Sequence, residues 1–289
     1  MREGHLRKAV RNCTTGESFP GVREAAQSCG VSPSSITRAC SGKQKTAAGC
    51  EWEYLDRKKR NMIYNNITRA AFIDRPNRFI ARVDLGGHRE TVHVKNTGRC
   101  KELLLPGVEV WLTASGNPQR KTKYDLVVVR KHKLIVNIDS QAPNIVVSEW
   151  LATQKFDRII PEYAFGTSRI DFCMERGEER YLMEVKGCTL EVDGIGYFPD
   201  APTERGVKHL RELIKAANAG YHAILAFVIQ MDGVTQVQAN RKTHPEFGET
   251  LDEAKAAGVQ TLFLPCHVEP DRLEILPGLK VQGTIGFKK

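Results

Sequence analysis

The run HAILAFVIQ, residues 222–230, is apolar at nearly every position. A continuous run of this length predicts a strand buried on both faces, in the middle of a sheet. Just before it, TERGVKHLRELIKAANAG places Val207, Leu210, Leu213, Ile214 and Ala217 at helical spacing. That stripe predicts an amphipathic helix, with Pro202 near its start and Gly220 at its end. NIVVSEWLATQKF (Val146, Trp150 and Leu151 on one face) and ETLDEAKAAG predict two more helices, and TLFLPCHVE another strand. A mixed sheet flanked by helices is the packing these elements favour.

The middle of the chain changes period. RFIARVDLGGHRETVHVKN alternates around Gly86-Gly87, a hairpin signal. GVEVWLTAS and DLVVVRKHKLIVNID predict further strands, and no long helix is evident. Short strands with glycine turns and basic loops suit a small OB-type barrel, a fold that binds single strands and backbone. Arg99, Lys101, Arg120, Lys121 and Lys123 fall on its loops, near Tyr124, as candidate nucleic-acid contacts. A solvated barrel rim explains them equally well.

The first segment has two short helical patterns. Val22, Ala25, Ala26 and Cys29 share a face ended by Gly30, and VSPSSITRACSG opens on Ser and Pro and stops at Gly42. Two helices joined at GVSPS suit a helix-turn-helix. Its second helix would offer Ser34, Ser35, Thr37 and Arg38 to base edges, with Lys43 and Lys45 reaching phosphates. Trp52 reads as the core plug of this unit.

Charge sharpens the division. Residues 1–60 carry +6, residues 61–140 +7 and residues 141–289 −4, for a total of +9 over 289 residues. A basic front predicts a polyanionic partner; a surface tuned for solubility is the plainer explanation. None of the eight cysteines forms a C-x-x-C pair, so neither a structural zinc site nor a disulfide framework is expected. The opening residues lack the apolar stretch of a secretory signal, and no apolar run is long enough to span a membrane. A cytoplasmic protein with no membrane partner is the expectation. No dinucleotide-binding glycine fingerprint or P-loop occurs, so no small-molecule cofactor is expected.

The candidate chemistry lies in RIDFCMERGEERYLMEVKG, residues 169–187. If Gly177-Glu178 is a two-residue turn, Asp171 falls directly opposite Glu184, and Lys186 shares their face. Two like charges at a strand pair repel, and a divalent cation removes the conflict. Carboxylates with water suit Mg²⁺ or Mn²⁺, and an ammonium beside them can orient an attacking water. From spacing alone, a solvated ion cluster at a sheet edge fits as well.

Two resemblances narrow these readings. TTGESFPGVREAAQSCGVSPSSITRACSGKQKTAAGCEWEY is similar to the small modular helix-turn-helix DNA-binding domain found attached to homing and other nucleases. The stretches NTGRCKELLLPG, NPQRKTKYDL, SRIDF, EVKGCTL and FPDAPTERGVKHLREL resemble the sugar fermentation stimulation protein A family, from Met62 to about residue 281. The pattern Asp171, Glu184-Val185-Lys186 resembles the PD-(D/E)XK nuclease core. This implies an α+β multidomain chain: a helix-turn-helix module (1–56), a basic linker (57–61), an OB-like barrel (62–141) and a PD-(D/E)XK-type mixed sheet flanked by helices (142–289). It further implies Asp171 and Glu184 as metal ligands and Lys186 as the catalytic lysine. Glu149 stands where the superfamily often has an acid that helps the metal, although a surface glutamate fits there too. Arg205, Lys208 and His209 would line the polar side of the following helix, near the phosphate chain. For His209 an ordinary solvated position is the favoured reading. The expected function is DNA binding with metal-dependent cleavage of DNA, and RNA is left open as a substrate. The alternative is an idle nuclease fold serving as a DNA-binding regulator of sugar-utilisation genes. Oligomeric state is left open.

Overall fold

A computed structural model describes residues 10–12, 14–15, 17–19, 21–41, 43–54, 62–96, 98–117 and 119–279. The chain divides into two compact units, residues 1–60 and 61–289. Each has its own apolar core among the described residues.

In the first unit, β1 (Val10–Asn12), β2 (Ser18–Phe19) and β3 (Trp52–Tyr54) form an antiparallel sheet in the order β2-β1-β3. Helices α1 (Val22–Ser28) and α2 (Pro33–Cys40) pack on it. Pro33 at the first helical position and the Ser32 hydroxyl, which accepts the Ser35 N–H, start α2. Trp52 is buried against Phe19 and donates its indole N–H to the Ala47 carbonyl at 2.8 Å, the plug expected of it. The two helices stand where the periodicity puts them. The sheet is an addition, because strands of two or three residues leave no readable alternation. The basic linker (57–61) lies outside the described residues.

The second unit begins with β4 (Met62–Ile63). Strands β5 (Ile67–Asn77), β6 (Ile80–Leu85), β7 (His88–Val94), β8 (Glu109–Ala114) and β9 (Tyr124–Lys131) then close a five-stranded OB-like barrel. Closure comes from β9, which pairs with β8 on one edge and runs parallel to β7 on the other. The Gly86-Gly87 hairpin forms as expected, with both glycines at positive φ, as a type I′ turn demands. Strand β10 (Leu134–Asn137) turns back to pair antiparallel with β9 and leads into α3 (Ala142–Leu151).

After α3 come β11 (Arg158–Phe165), β12 (Ser168–Arg176) and β13 (Glu179–Cys188), then β14 (Leu190–Val192) and β15 (Ile195–Phe198). Helix α4 (Glu204–Asn218), β16 (His222–Ile229), β17 (Val237–Ala239), α5 (Pro245–Ala256), β18 (Gln260–Glu269) and β19 (Arg272–Ile275) complete the unit. The main sheet has the order β11-β12-β13-β16-β18-β19-β4, with β13, β16 and β18 parallel and the outer pairs antiparallel. Met62 and Ile63, placed at the head of the barrel from the sequence, pair instead with β19 at the far edge of this sheet. Strand β16 is central and buried along its length, apart from His222 at its start.

Alternation along β13 decides which side chains face which layer. Tyr181, Met183 and Val185 pack with α3, and Leu182 packs with the layer of α4 and α5. Glu184 and Lys186 therefore point toward α4. No helix of the described residues is long and apolar enough to cross a membrane.

Candidate metal-dependent active site

The hairpin that carries the acids has the predicted register. Arg176 pairs with Glu179 and Phe172 with Met183, around Gly177-Glu178. Gly177 has φ 56° at the first central position, where a type II′ turn needs glycine. The backbone ladder ends at Phe172–Met183, one step before Asp171 would face Glu184. There the side chain replaces the ladder. The Asp171 carboxylate accepts the Val185 N–H at 2.8 Å through Oδ2, and Oδ1 accepts the Asn144 amide at 2.7 Å. Burial, and then the negative charge of Glu184, push the Asp171 carboxyl above its usual range.

Glu184 is 1 % exposed. Its Oε1 receives the Lys186 ammonium at 2.5 Å and, closer still, His209 Nδ1. Burial alone would push its pKa up, but His209 and Lys186 outweigh burial and hold the carboxylate below its usual range. Its Oε2 is buried and has no hydrogen-bond partner. A buried carboxylate oxygen left bare is costly unless something positive meets it. Two carboxylates, one with a free oxygen, are the hard-oxygen donor set of a Mg²⁺-, Mn²⁺- or Ca²⁺-class cation. The residues fit such an ion.

Other expected residues divide sharply. Glu149 does not reach this site. It lies five residues beyond Asn144 on α3, about 140° further round the helix. Its Oε2 accepts the Met62 N–H at 3.2 Å, and Glu274 of β19 is its charged neighbour, at the opposite edge of the sheet. Asn144 is what α3 brings to the acids. A polar residue on the stripe it shares with buried Val147 and Leu151 was the available signal. Arg120 is not a free loop cation either: its guanidinium forks onto Asp125 at 2.7 and 3.1 Å and also meets Ser115 and Thr122. It braces the turn between β8 and β9. Arg99, Lys101, Lys121 and Lys123 are exposed on barrel loops.

His209 is buried at 5 % exposure, not solvated, while Arg205 and Lys208 on the same helix are exposed. Lys208 donates to the Thr167 carbonyl at 3.3 Å. The buried face of α4 is Gly206, Val207, His209, Leu210, Glu212, Leu213 and Ala216, wider than the stripe read from the sequence. Both the main sheet and α5 cover this helix, so a single stripe under-describes it. In the first unit, Ser35 belongs to the helix cap, Thr37 turns its hydroxyl onto the Pro33 carbonyl, and Arg38 holds the Gln44 side chain. Lys43 and Lys45 are exposed.

A cavity of about 500 Å³ opens beside Asn144 and Val185, the two residues that hold the Asp171 carboxylate. Arg78 and Arg99 line it from the barrel, and Asn144, Gly187, Asp200 and Gln230 from the sheet domain. Among the described residues one trio of metal-ligating side chains clusters elsewhere: Glu204, His244 and Glu246. His244 Nδ1 accepts the Thr203 N–H at 3.3 Å, so the neutral ring carries its proton on Nε2, which faces both carboxylates at 3.9 Å. That arrangement ties together the starts of α4 and α5, with the ring's Nδ1 lone pair already taken by the Thr203 N–H.

The comparisons with known proteins match the second unit segment by segment. Residues 73–138 match the SfsA N-terminal OB domain, and residues 141–272 match the sugar fermentation stimulation protein RE domain. The chain belongs to the sugar fermentation stimulation protein family. A sugar fermentation stimulation protein homolog of Desulfitobacterium hafniense is 51% identical over 216 residues, which cover 74% of this chain and 95% of that one. A homolog of Clostridium beijerinckii is 50% identical over 218 residues, 74% of this chain and 96% of its own. Among solved structures, Pyrococcus furiosus SfsA in complex with Ca²⁺ superposes with a TM-score of 0.67 at 30% identity, covering 77% of this chain and 99% of that one.

Proposed function

We propose that this member of the family is a divalent-metal-dependent nuclease that hydrolyses phosphodiester bonds in DNA. The observation that carries the proposal is the bare, buried Oε2 of Glu184 beside Asp171, on a face that also holds Lys186. Asp171 and Glu184 would hold the metal, and the relative solved with Ca²⁺ supports an oxygen-liganded divalent cation of Mg²⁺ or Mn²⁺ character here. Such an ion, when bound, lowers the pKa of a coordinated water and offsets charge on phosphoryl oxygens.

The chain's own groups divide the remaining tasks. Asn144 and the Val185 N–H fix the Asp171 carboxylate. The Lys186 ammonium, held on Glu184, supplies positive charge beside the reacting phosphate and donors to orient a water. Arg78 and Arg99 line the cavity beside Asn144 and would hold the chain that leads to the cleavage point. Arg205 and Lys208 add charge on α4, and Lys101, Lys121 and Lys123 on the barrel. The first unit, with Arg38, Lys43 and Lys45 on one small two-helix body, would add a second hold on the duplex.

The test is direct. Purified protein is incubated with supercoiled plasmid, single-stranded DNA and RNA, in Mg²⁺, Mn²⁺ or EDTA, alongside Asp171→Asn and Lys186→Ala. Metal-dependent cutting lost in both variants is the expected result. Cutting that survives both variants would overturn the site. Salt-sensitive binding without cutting, in every metal, would favour the regulator.

A further inference from the structure

We infer that His209 is a positioning residue of this site, one that presents Glu184 to the metal through a single oxygen. The inference rests on the metal-dependent reading above and adds a residue to it from a different element of the fold.

The ring's proton can be placed from its neighbours. Arg205 Nε, which always carries hydrogen, points at His209 Nε2 from 3.4 Å, so Nε2 is the accepting nitrogen. Nδ1 then carries the proton, and it faces Glu184 Oε1 at hydrogen-bonding range. The opposite tautomer would set a lone pair against a carboxylate oxygen and an N–H against the Arg205 N–H. Lys186 Nζ sits 3.4 Å from Nδ1 as a second donor aimed at the same oxygen. Both lone pairs of Oε1 are thereby occupied, one by a strand neighbour and one by α4. Oε2 is left buried and unpartnered. The carboxylate is pinned in one rotamer, with one oxygen withdrawn from coordination and the other offered. Removing the His209 donor frees the carboxylate to turn, and Lys186 then competes for both oxygens. Groups that orient a metal-binding carboxylate in this way typically govern affinity by about 10–100-fold.

Calcium binding to the full chain is measured by titration calorimetry for the wild type, His209→Asn, His209→Gln and His209→Leu. The amide nitrogen of asparagine lies near the place of Nδ1, and that of glutamine near Nε2. His209→Asn is expected to bind within about threefold of the wild type, and His209→Gln and His209→Leu about 10–100-fold more weakly. Nitrogen NMR of the wild-type ring is expected to find Nδ1 protonated and Nε2 bare, a readout independent of how any variant folds. Equal affinities for the asparagine and glutamine variants would overturn the inference, as would a ring protonated on Nε2. If the wild type bound no Ca²⁺, Mg²⁺ or Mn²⁺ at all, the metal reading and this inference would fall together. Normal wild-type binding unaffected by the three variants would sink only the role of His209.

Discussion

At the scale of single residues, the two carboxylates on or beside α3 are held differently, and neither arrangement follows from residue type. Asp171 is held by two donors and faces Glu184, whereas Glu149 has one backbone donor and one bare buried oxygen, Oε1. Burial, with Glu274 nearby, raises the Glu149 carboxyl to about 7. A raised carboxyl binds its proton more tightly in the folded state, so this group lowers stability as pH rises from its unfolded value near 4.5 to about 7. Glu149→Gln keeps an acceptor for Met62 and removes the charge. Its melting temperature is expected to match the wild type at pH 4.5, exceed it by a few degrees at pH 8, and gain nothing further above that. A constant difference across pH, followed by scanning calorimetry, would show that Glu149 does not titrate in this range. Asp171→Asn keeps an acceptor for Val185 but loses the ligand charge. Several kcal/mol of metal-borne charge stabilisation corresponds to a loss on the order of a thousandfold in cleavage rate, with folding retained. The acid pair and its lysine were legible because a two-residue turn fixes register. Asn144 and His209 were not, because they arrive on helices whose rotation the sheet sets.

At the scale of elements, the same contrast recurs. Strand β16 and the β12–β13 hairpin could be read from local pattern alone, since a continuous apolar run and a tight turn each determine their own geometry. The stripe of α4 could be read only in part: Val207, Leu210 and Leu213 are buried as expected, but Gly206, His209, Glu212 and Ala216 are buried too because two layers cover that helix. Strands β14, β15 and β17, each of three or four residues, carry too few positions for a period to register. Close approach between elements is likewise invisible in sequence. A Cβ on Gly187 would lie 2.3 Å from Gln230 Oε1 and 2.9 Å from Pro143 Cγ, at the meeting of β13, β16 and α3. Gln230 cannot easily retreat, because its amide donates to Asn137 Oδ1 and to the Asp139 carbonyl inside a buried polar network. Gly187→Ala is therefore expected to cost about 1–3 kcal/mol in urea unfolding. It should also weaken metal binding, since Pro143 precedes the Asn144 that holds Asp171. An alanine variant as stable as the wild type would mean that α3 shifts freely there, and that Asn144 does not hold Asp171 rigidly.

At the scale of the whole molecule, charge and core divide the chain differently, and the difference is testable. Each unit closes its own core, so residues 61–289 are expected to fold without the first 60. Their net charge is +3, against +9 for the full chain. Composition could show that the front was basic, but not which cations are free. Arg120 is absorbed by Asp125, whereas Lys43, Lys45, Lys101, Lys121 and Lys123 are exposed. If the first unit grips phosphates through Arg38, Lys43 and Lys45, its removal takes three counterion-releasing contacts from the complex. The slope of log affinity against log salt, measured on duplex DNA with Ca²⁺ present, then becomes shallower by about 3. Metal-dependent cleavage by residues 61–289 should persist, because Asp171, Glu184, Lys186, Asn144 and His209 all lie within that unit. An unchanged slope would remove the first unit from the list of DNA contacts and leave the barrel and α4 to account for all the binding. Cleavage lost together with the first unit, while Ca²⁺ affinity stayed intact, would instead make that unit necessary for bringing substrate to the acids.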